Sequence, residues 1–254
     1  MITLDKLHPC DILFFNGSSL IDRAIQVCSD SYHNHVAMVA PNNLIAGAGT
    51  DGFKARSIQD TIGDTDIYVD CVRFVGDPSR MIETQLGSAE YPLQPVLDSL
   101  NKMIAEGNMY DYPAILLLAG ICAIRRLINA NTSEQIIIDK AFLQAEELIE
   151  NSQYYQIAEN IVSKGKTPAV CSASIFRVLE NADNGKYRPM IPPNSMNGMY
   201  NSLPIYTSEF FTKMKELWKD ENGIPFQFVT PSDLYLSPNI GLSLGRLQYG
   251  DLQV

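Results

Sequence analysis

Apolar and polar positions change their spacing along this chain, and the change divides it. Residues 11–15, Asp-Ile-Leu-Phe-Phe, are a short apolar run that predicts a strand, and Asn16-Gly17-Ser18 then leads into a helix. In that helix Leu20, Ile21, Ala24, Ile25, Val27 and Cys28 fall on one face. Residues 35–40, His-Val-Ala-Met-Val-Ala, predict a second strand, followed by a Pro41-Asn42-Asn43 turn and a returning strand over 44–48. Gly47, Gly49 and Gly52 interrupt the pattern, and 67–74 alternates as another strand. The first eighty residues therefore predict a compact α+β unit.

From about 79 to 163 the spacing becomes three-to-four, predicting helices over 93–105, 113–128 and 132–149. Thr132 with Gln135 forms a capping box, and Gly165 is a helix stop. This block, about 79–165, is read as an insertion or lid inside a single domain spanning 1–254. A further amphipathic helix starts at Cys171 and runs to about Asn181, with Ile175, Val178, Leu179 and Ala182 on one face. A Pro- and Asn-rich loop over 189–204 and a helix over 208–220 follow. Thr230-Pro-Ser-Asp-Leu predicts one more helical turn, with Thr230 as cap and Pro231 at the first position.

Composition narrows the function classes. An apolar fraction of 46% with 19% charged residues is that of a chain that folds around a core. The net charge of -10 excludes a surface built for phosphate backbones, so no nucleic-acid partner is expected and His33-Asn34-His35 is not read as a nuclease signature. Five cysteines without CxxC spacing favour reduced thiols over a disulfide framework or a zinc site. The longest apolar run, 113–124, is closed by Arg125 and Arg126 and falls short of the roughly 20 residues a bilayer span needs. The N-terminus lacks the basic and apolar regions of a signal peptide. A cytoplasmic protein is expected; membrane-surface contact through the helix beginning at Pro113 stays open as a third reading but is not indicated.

Two residues carry candidate chemistry. Cys171 follows the extended Thr167-Pro168-Ala169-Val170 and begins a helix, where unpaired backbone N–H groups and the positive end of the helix dipole favour thiolate. The same N–H groups, with that of Ser172, can hold an oxyanion. His35 opens its strand beside small residues, sharing one face with Ala37 and Val39, while Val36, Met38 and Ala40 share the other. An imidazole that takes a thiol's proton makes a nucleophile near neutral pH. The ordinary fates of such residues are a strand histidine bonded to a carbonyl and a small buried thiol.

Four segments together resemble the permuted NlpC/P60 papain-like thiol hydrolases, nearest the YiiX/YebB-like branch. They are Leu7-His-Pro-Cys-Asp-Ile-Leu-Phe-Phe15, Asn34-His35-Val-Ala-Met-Val, Thr167-Pro-Ala-Val-Cys171-Ser and Thr230-Pro-Ser-Asp-Leu234. Tyr110-Asp111 is similar to that family's inserted region. The resemblance implies a circularly permuted papain-like α+β fold, with an antiparallel sheet packed on the Cys-bearing helix. It further implies Cys171 as nucleophile and His35 as base. Two positions depart from the family pattern. Cys10 stands where a Gly usually precedes the first-strand Asp. The polar residue that orients the imidazole belongs at Ala46 or Gly47, neither of which has a side-chain acceptor. Either Asp51, with Thr50 behind it, substitutes, or a carbonyl or a water orients His35.

The expectation is a cysteine hydrolase cleaving an amide or ester through a thioester, on a small-molecule, peptide or lipid acyl substrate, with no metal or organic cofactor called for. The alternative is a non-catalytic papain-like scaffold that binds a ligand or a protein, motivated by the missing orienting residue.

Overall fold

The computed structural model describes residues 1–19, 22–23, 25–26, 31–49, 52–62, 66–74, 93–107, 171–191 and 229–248. The helices expected over 113–128, 132–149 and 208–220, the Thr132 cap, Gly165 and Tyr110-Asp111 lie outside the described residues, as do Thr50 and Asp51.

Six antiparallel strands form one sheet in the order β4-β3-β2-β1-β5-β6. They are β1 Ile12–Gly17, β2 His35–Ala40, β3 Leu44–Gly49, β4 Gly52–Arg56, β5 Asp66–Arg73 and β6 Leu242–Arg246. Among the described residues the α-helices with defined ends are α1 Ile58–Thr61, α2 Gln94–Glu106, α3 Cys171–Asn181 and α4 Pro231–Tyr235. The chain is thus mixed α+β, and its sheet is built mostly from the first seventy-odd residues. Residues 22–23 and 25–26, inside the helix expected after β1, are helical.

Both sides of the central strands are covered, which explains why β1 reads as an unbroken apolar run. Ile12, Phe14, Val36, Met38, Ala46, Phe53 and Val72 point to one side, where α2, α3 and α4 bury them with Val96, Leu100, Ile175, Leu179 and Leu234. Leu13, Phe15, Ala37, Val39, Ile45, Val69 and Cys71 point to the other, against Ile2, Leu7, Ile58 and Leu247. We call these the helix side and the far side.

The start of β1 is tied down twice. Asp11, buried, accepts from Arg73 Nε at 3.0 Å and Nη2 at 3.0 Å, and from the His8 N–H at 2.8 Å, so a two-pronged ion pair joins the start of β1 to the end of β5. Before it, Cys10 has φ 73, a left-handed conformation that glycine adopts without cost. The departure from the family's Gly thus falls on a strained backbone position, with the thiol buried in the helix-side core.

At the C-terminal end, α4 carries the expected cap. The Thr230 hydroxyl accepts from Asp233 N–H at 3.1 Å, the Asp233 carboxylate accepts from Thr230 N–H at 2.9 Å, and Pro231 occupies the first turn. The glycine-interrupted stretch after β3 is β4, an edge strand; neither it nor β6 was expected from the sequence pattern. Among the described residues no helix is long and apolar enough to cross a membrane.

Candidate functional site

Cys171 is the first residue of α3 and lies buried among helix-side residues. Its thiol donates to the Asn34 carbonyl with Sγ···O 4.0 Å, and the N–H groups of Val36, Ser172 and Cys171 itself are directed at the sulfur. Burial pushes the thiol pKa up from its ordinary 9.0, and those N–H groups oppose the rise. The Ser172 side chain also opposes the rise, and its hydroxyl donates to the Val229 carbonyl at 2.5 Å. That bond ties the start of α3 to the residue preceding the α4 cap.

The sulfur meets β2 at an open edge. Val39 exchanges its backbone bonds with Cys10 and Asp11, so odd residues of β2 bond toward β1 and even ones toward β3. The β2–β3 ladder spans only Met38–Ala46 to Ala40–Leu44. The Asn34 carbonyl and Val36 N–H therefore project past the end of that ladder, and the thiol takes the place of a neighbouring strand.

His35 lies between those two backbone groups, but its ring turns to the far side. It meets Phe15, its register partner on β1, with ring centroids 5.2 Å apart. Its Nε2 lies 3.5 Å from where a side chain on Gly47 would begin. Among the described residues the thiol and the imidazole are not hydrogen-bonded to each other. Burial lowers the His35 pKa to about 4; the Asp22 carboxylate raises it and the Arg56 guanidinium lowers it further. Thus the structure brings the His35 backbone to Cys171 while the sheet separates their side-chain directions.

A second imidazole, His33, sits on the helix side. Its Nε2 is 2.9 Å from Asp70 Oδ2, and its ring packs 4.5 Å from Tyr235 and 5.4 Å from Phe14. Arg246 shares the carboxylate at 3.3 Å and covers the Tyr68 ring at 3.8 Å. Burial lowers the His33 pKa against the pull of Asp70. The ring is therefore neutral near pH 7, with Nε2–H donating to Asp70 and Nδ1 left as the acceptor. It pins the segment entering β2 to β5 and to α4. Nothing in the residue pattern points to this pairing, because His33 and Asp70 are 37 residues apart.

Asn34 holds the same segment from its other flank. Its Oδ1 accepts from Gly17 N–H at 2.6 Å and Gln26 Nε2 at 3.4 Å, and its Nδ2 donates to Asp22 Oδ1 at 2.6 Å. Asp22 and Ser19 form a reciprocal cap, readable in the sequence as Ser-x-x-Asp, although its reach to Asn34 was not.

Among the described residues there is no group of three His, Cys, Asp or Glu side chains arranged to hold a metal ion. No protein-family model matches the chain, and no curated protein matches it significantly. Among solved structures it is similar to the metalloprotein yiiX from Escherichia coli O157:H7. Sequence identity is 16% over 91% of this chain and 93% of that one, with a TM-score of 0.44.

Proposed function

We propose that this chain is a thiol-dependent acyl hydrolase on a permuted NlpC/P60 papain-like scaffold, with Cys171 as nucleophile and His35 as base. The observation that carries the reading is the setting of the Cys171 thiol. It opens a helix, three N–H groups are aimed at it, and its proton rests on the carbonyl of the residue before His35.

In the resting geometry the pair is neutral. Burial holds the thiol pKa above its ordinary 9.0 and the imidazole pKa down at about 4, so the proton stays on the sulfur. An ion pair is therefore not preformed. Catalysis requires the His35 ring to turn from Phe15 and Gly47 toward the open edge of β2. Water or substrate there must also relieve the burial that depresses its basicity. The proton then passes to His35 as the thiolate adds to the acyl carbon, and the N–H of Ser172 holds the oxyanion. His35 returns the proton to the leaving amine or alcohol as the thioester forms. It then takes one from the water that hydrolyses the thioester, releasing the acid and the thiol. The single domain, its helical insertion over about 79–165 and an acyl substrate that is a small molecule, peptide or lipid belong to this reading.

A second reading, a ligand- or protein-binding scaffold without catalysis, is favoured by the side-chain directions of His35 and Cys171. Mass spectrometry after incubation with activated acyl esters and acyl amides separates the two. The hydrolase forms a thioester adduct at Cys171, slowed by roughly 10²-fold or more in His35→Ala and absent in Cys171→Ser. If Cys171 takes no acyl group, and its iodoacetamide labelling is indifferent to His35, the binding scaffold replaces the enzyme.

A further inference from the structure

The strand position expected to orient His35 is occupied by Ala46 and Gly47, and neither side chain can accept a hydrogen bond. The far side of the sheet nevertheless carries a carboxylate whose charge acts on this ring. Gly17 ends β1 on the same side as Leu13 and Phe15. A Cβ on Gly17 would lie 2.3 Å from Asp22 Oδ2, so the Asp22 carboxylate fills the space that glycine leaves. Gly17 lies two residues along β1 from Phe15, whose ring is the neighbour of His35.

Asp22 does more than cap its helical turn. One oxygen, Oδ2, accepts from Ser19 N–H at 2.9 Å; the other, Oδ1, accepts from the buried Asn34 amide at 2.6 Å. Asn34 is the residue whose carbonyl receives the Cys171 thiol, and His35 follows it. A cap alone uses one oxygen and has no need of a strand residue on the far end. The charged groups that act on the His35 ring are Asp22, beside β1, and Arg56, on β4, which donates to the Gly47 carbonyl at 3.2 Å and the Gly52 carbonyl at 3.3 Å.

We infer that Asp22 is the positioning carboxylate of this site: through Asn34 it sets the 34–36 backbone against the Cys171 thiol, and from the far side it supplies the anion that balances a protonated His35. The inference rests on the hydrolase reading for its catalytic meaning, while the placement of Asp22 against Gly17 and Asn34 stands on geometry. It moves the third role from the strand after the histidine to the turn before it.

The test is an NMR titration of the His35 ring in full-length wild type, Asp22→Asn and Ser19→Ala, with acyl-adduct formation at Cys171 followed in parallel. Asp22→Asn lowers the His35 titration midpoint by about half to one pH unit and slows acylation at least about tenfold. Ser19→Ala breaks the cap, keeps the charge, and leaves the midpoint in place. Asp22→Ser, which removes the charge but keeps an acceptor, lowers the midpoint in the same way and serves if Asp22→Asn does not fold. A midpoint unmoved in both Asp22 variants, or an equal movement in Ser19→Ala, overturns the inference. If the midpoint moves as stated but wild-type Cys171 never acylates, the hydrolase reading fails and the Asp22–His35 pairing remains. If wild type acylates and Asp22→Asn matches it in rate and midpoint, the inference alone fails.

Discussion

Acidification should destabilise this protein through His35, by an amount that follows from its burial. In the unfolded chain the ring titrates at its ordinary 6.5, and in the fold burial lowers this to about 4. Above 6.5 neither state holds the proton, so the group contributes no pH dependence there. Between 6.5 and about 4 the unfolded chain takes up a proton that the folded state refuses, and stability falls as pH falls. At about 1.4 kcal/mol per pH unit about 2 kcal/mol is gone at pH 5 and about 3 kcal/mol at pH 4, upper figures because His35 is only part-buried. His33, whose pKa is also lowered by burial, adds a loss of the same sign. The assay is urea unfolding at pH 7 and pH 5 in wild type and His35→Gln, since glutamine cannot take up the proton. The carboxylates titrate in both proteins and cancel in the comparison. Wild type should lose about 2 kcal/mol more than His35→Gln over that interval. An equal loss in the two proteins would refute the argument, because His35 would then be as easily protonated in the fold as out of it.

Two further substitutions probe the frame that holds the site. Asp11→Ala removes a carboxylate that receives Arg73 and His8; a loss of roughly 2–3 kcal/mol is expected in urea unfolding, below the range for fully buried pairs because Arg73 reaches solvent. A loss under about 0.5 kcal/mol would mean that the ion pair contributes nothing net. Gly241→Ala would place a Cβ 2.0 Å from the Arg73 carbonyl at a φ of 151. A thermal-melt loss equivalent to at least about 2 kcal/mol is expected, and a neutral result would show that this turn can be rebuilt.

Much of the architecture was legible because its causes are local. The 35–40 strand, its three-residue turn and the returning strand follow from alternation bounded by Pro41-Asn42-Asn43, and α4 follows from Thr230-Pro231 and Asp233. The 93–105 periodicity and the amphipathic pattern over 171–181 appear as α2 and α3. The strands β4 and β6 were less visible. One begins at a glycine with positive φ, and the other carries Gly245 in the same region, so both depend on pairing partners supplied by other strands.

The candidate site divides along the same line. Residue type and position singled out Cys171 and His35, and alternation assigned His35, Ala37 and Val39 to one face and Val36, Met38 and Ala40 to the other. Which face α3 would cover was not in the pattern, because both faces of β2 are apolar and a period of two gives parity without direction. Only the packed sheet puts the thiol at the edge of β2 with the imidazole turned the other way. Only the packed sheet brings Asp22 to Asn34 and Asp70 to His33. Local chemistry determines what a segment of this chain becomes; which side chains share a space is decided when the two apolar faces are buried, since burial selects the covering elements.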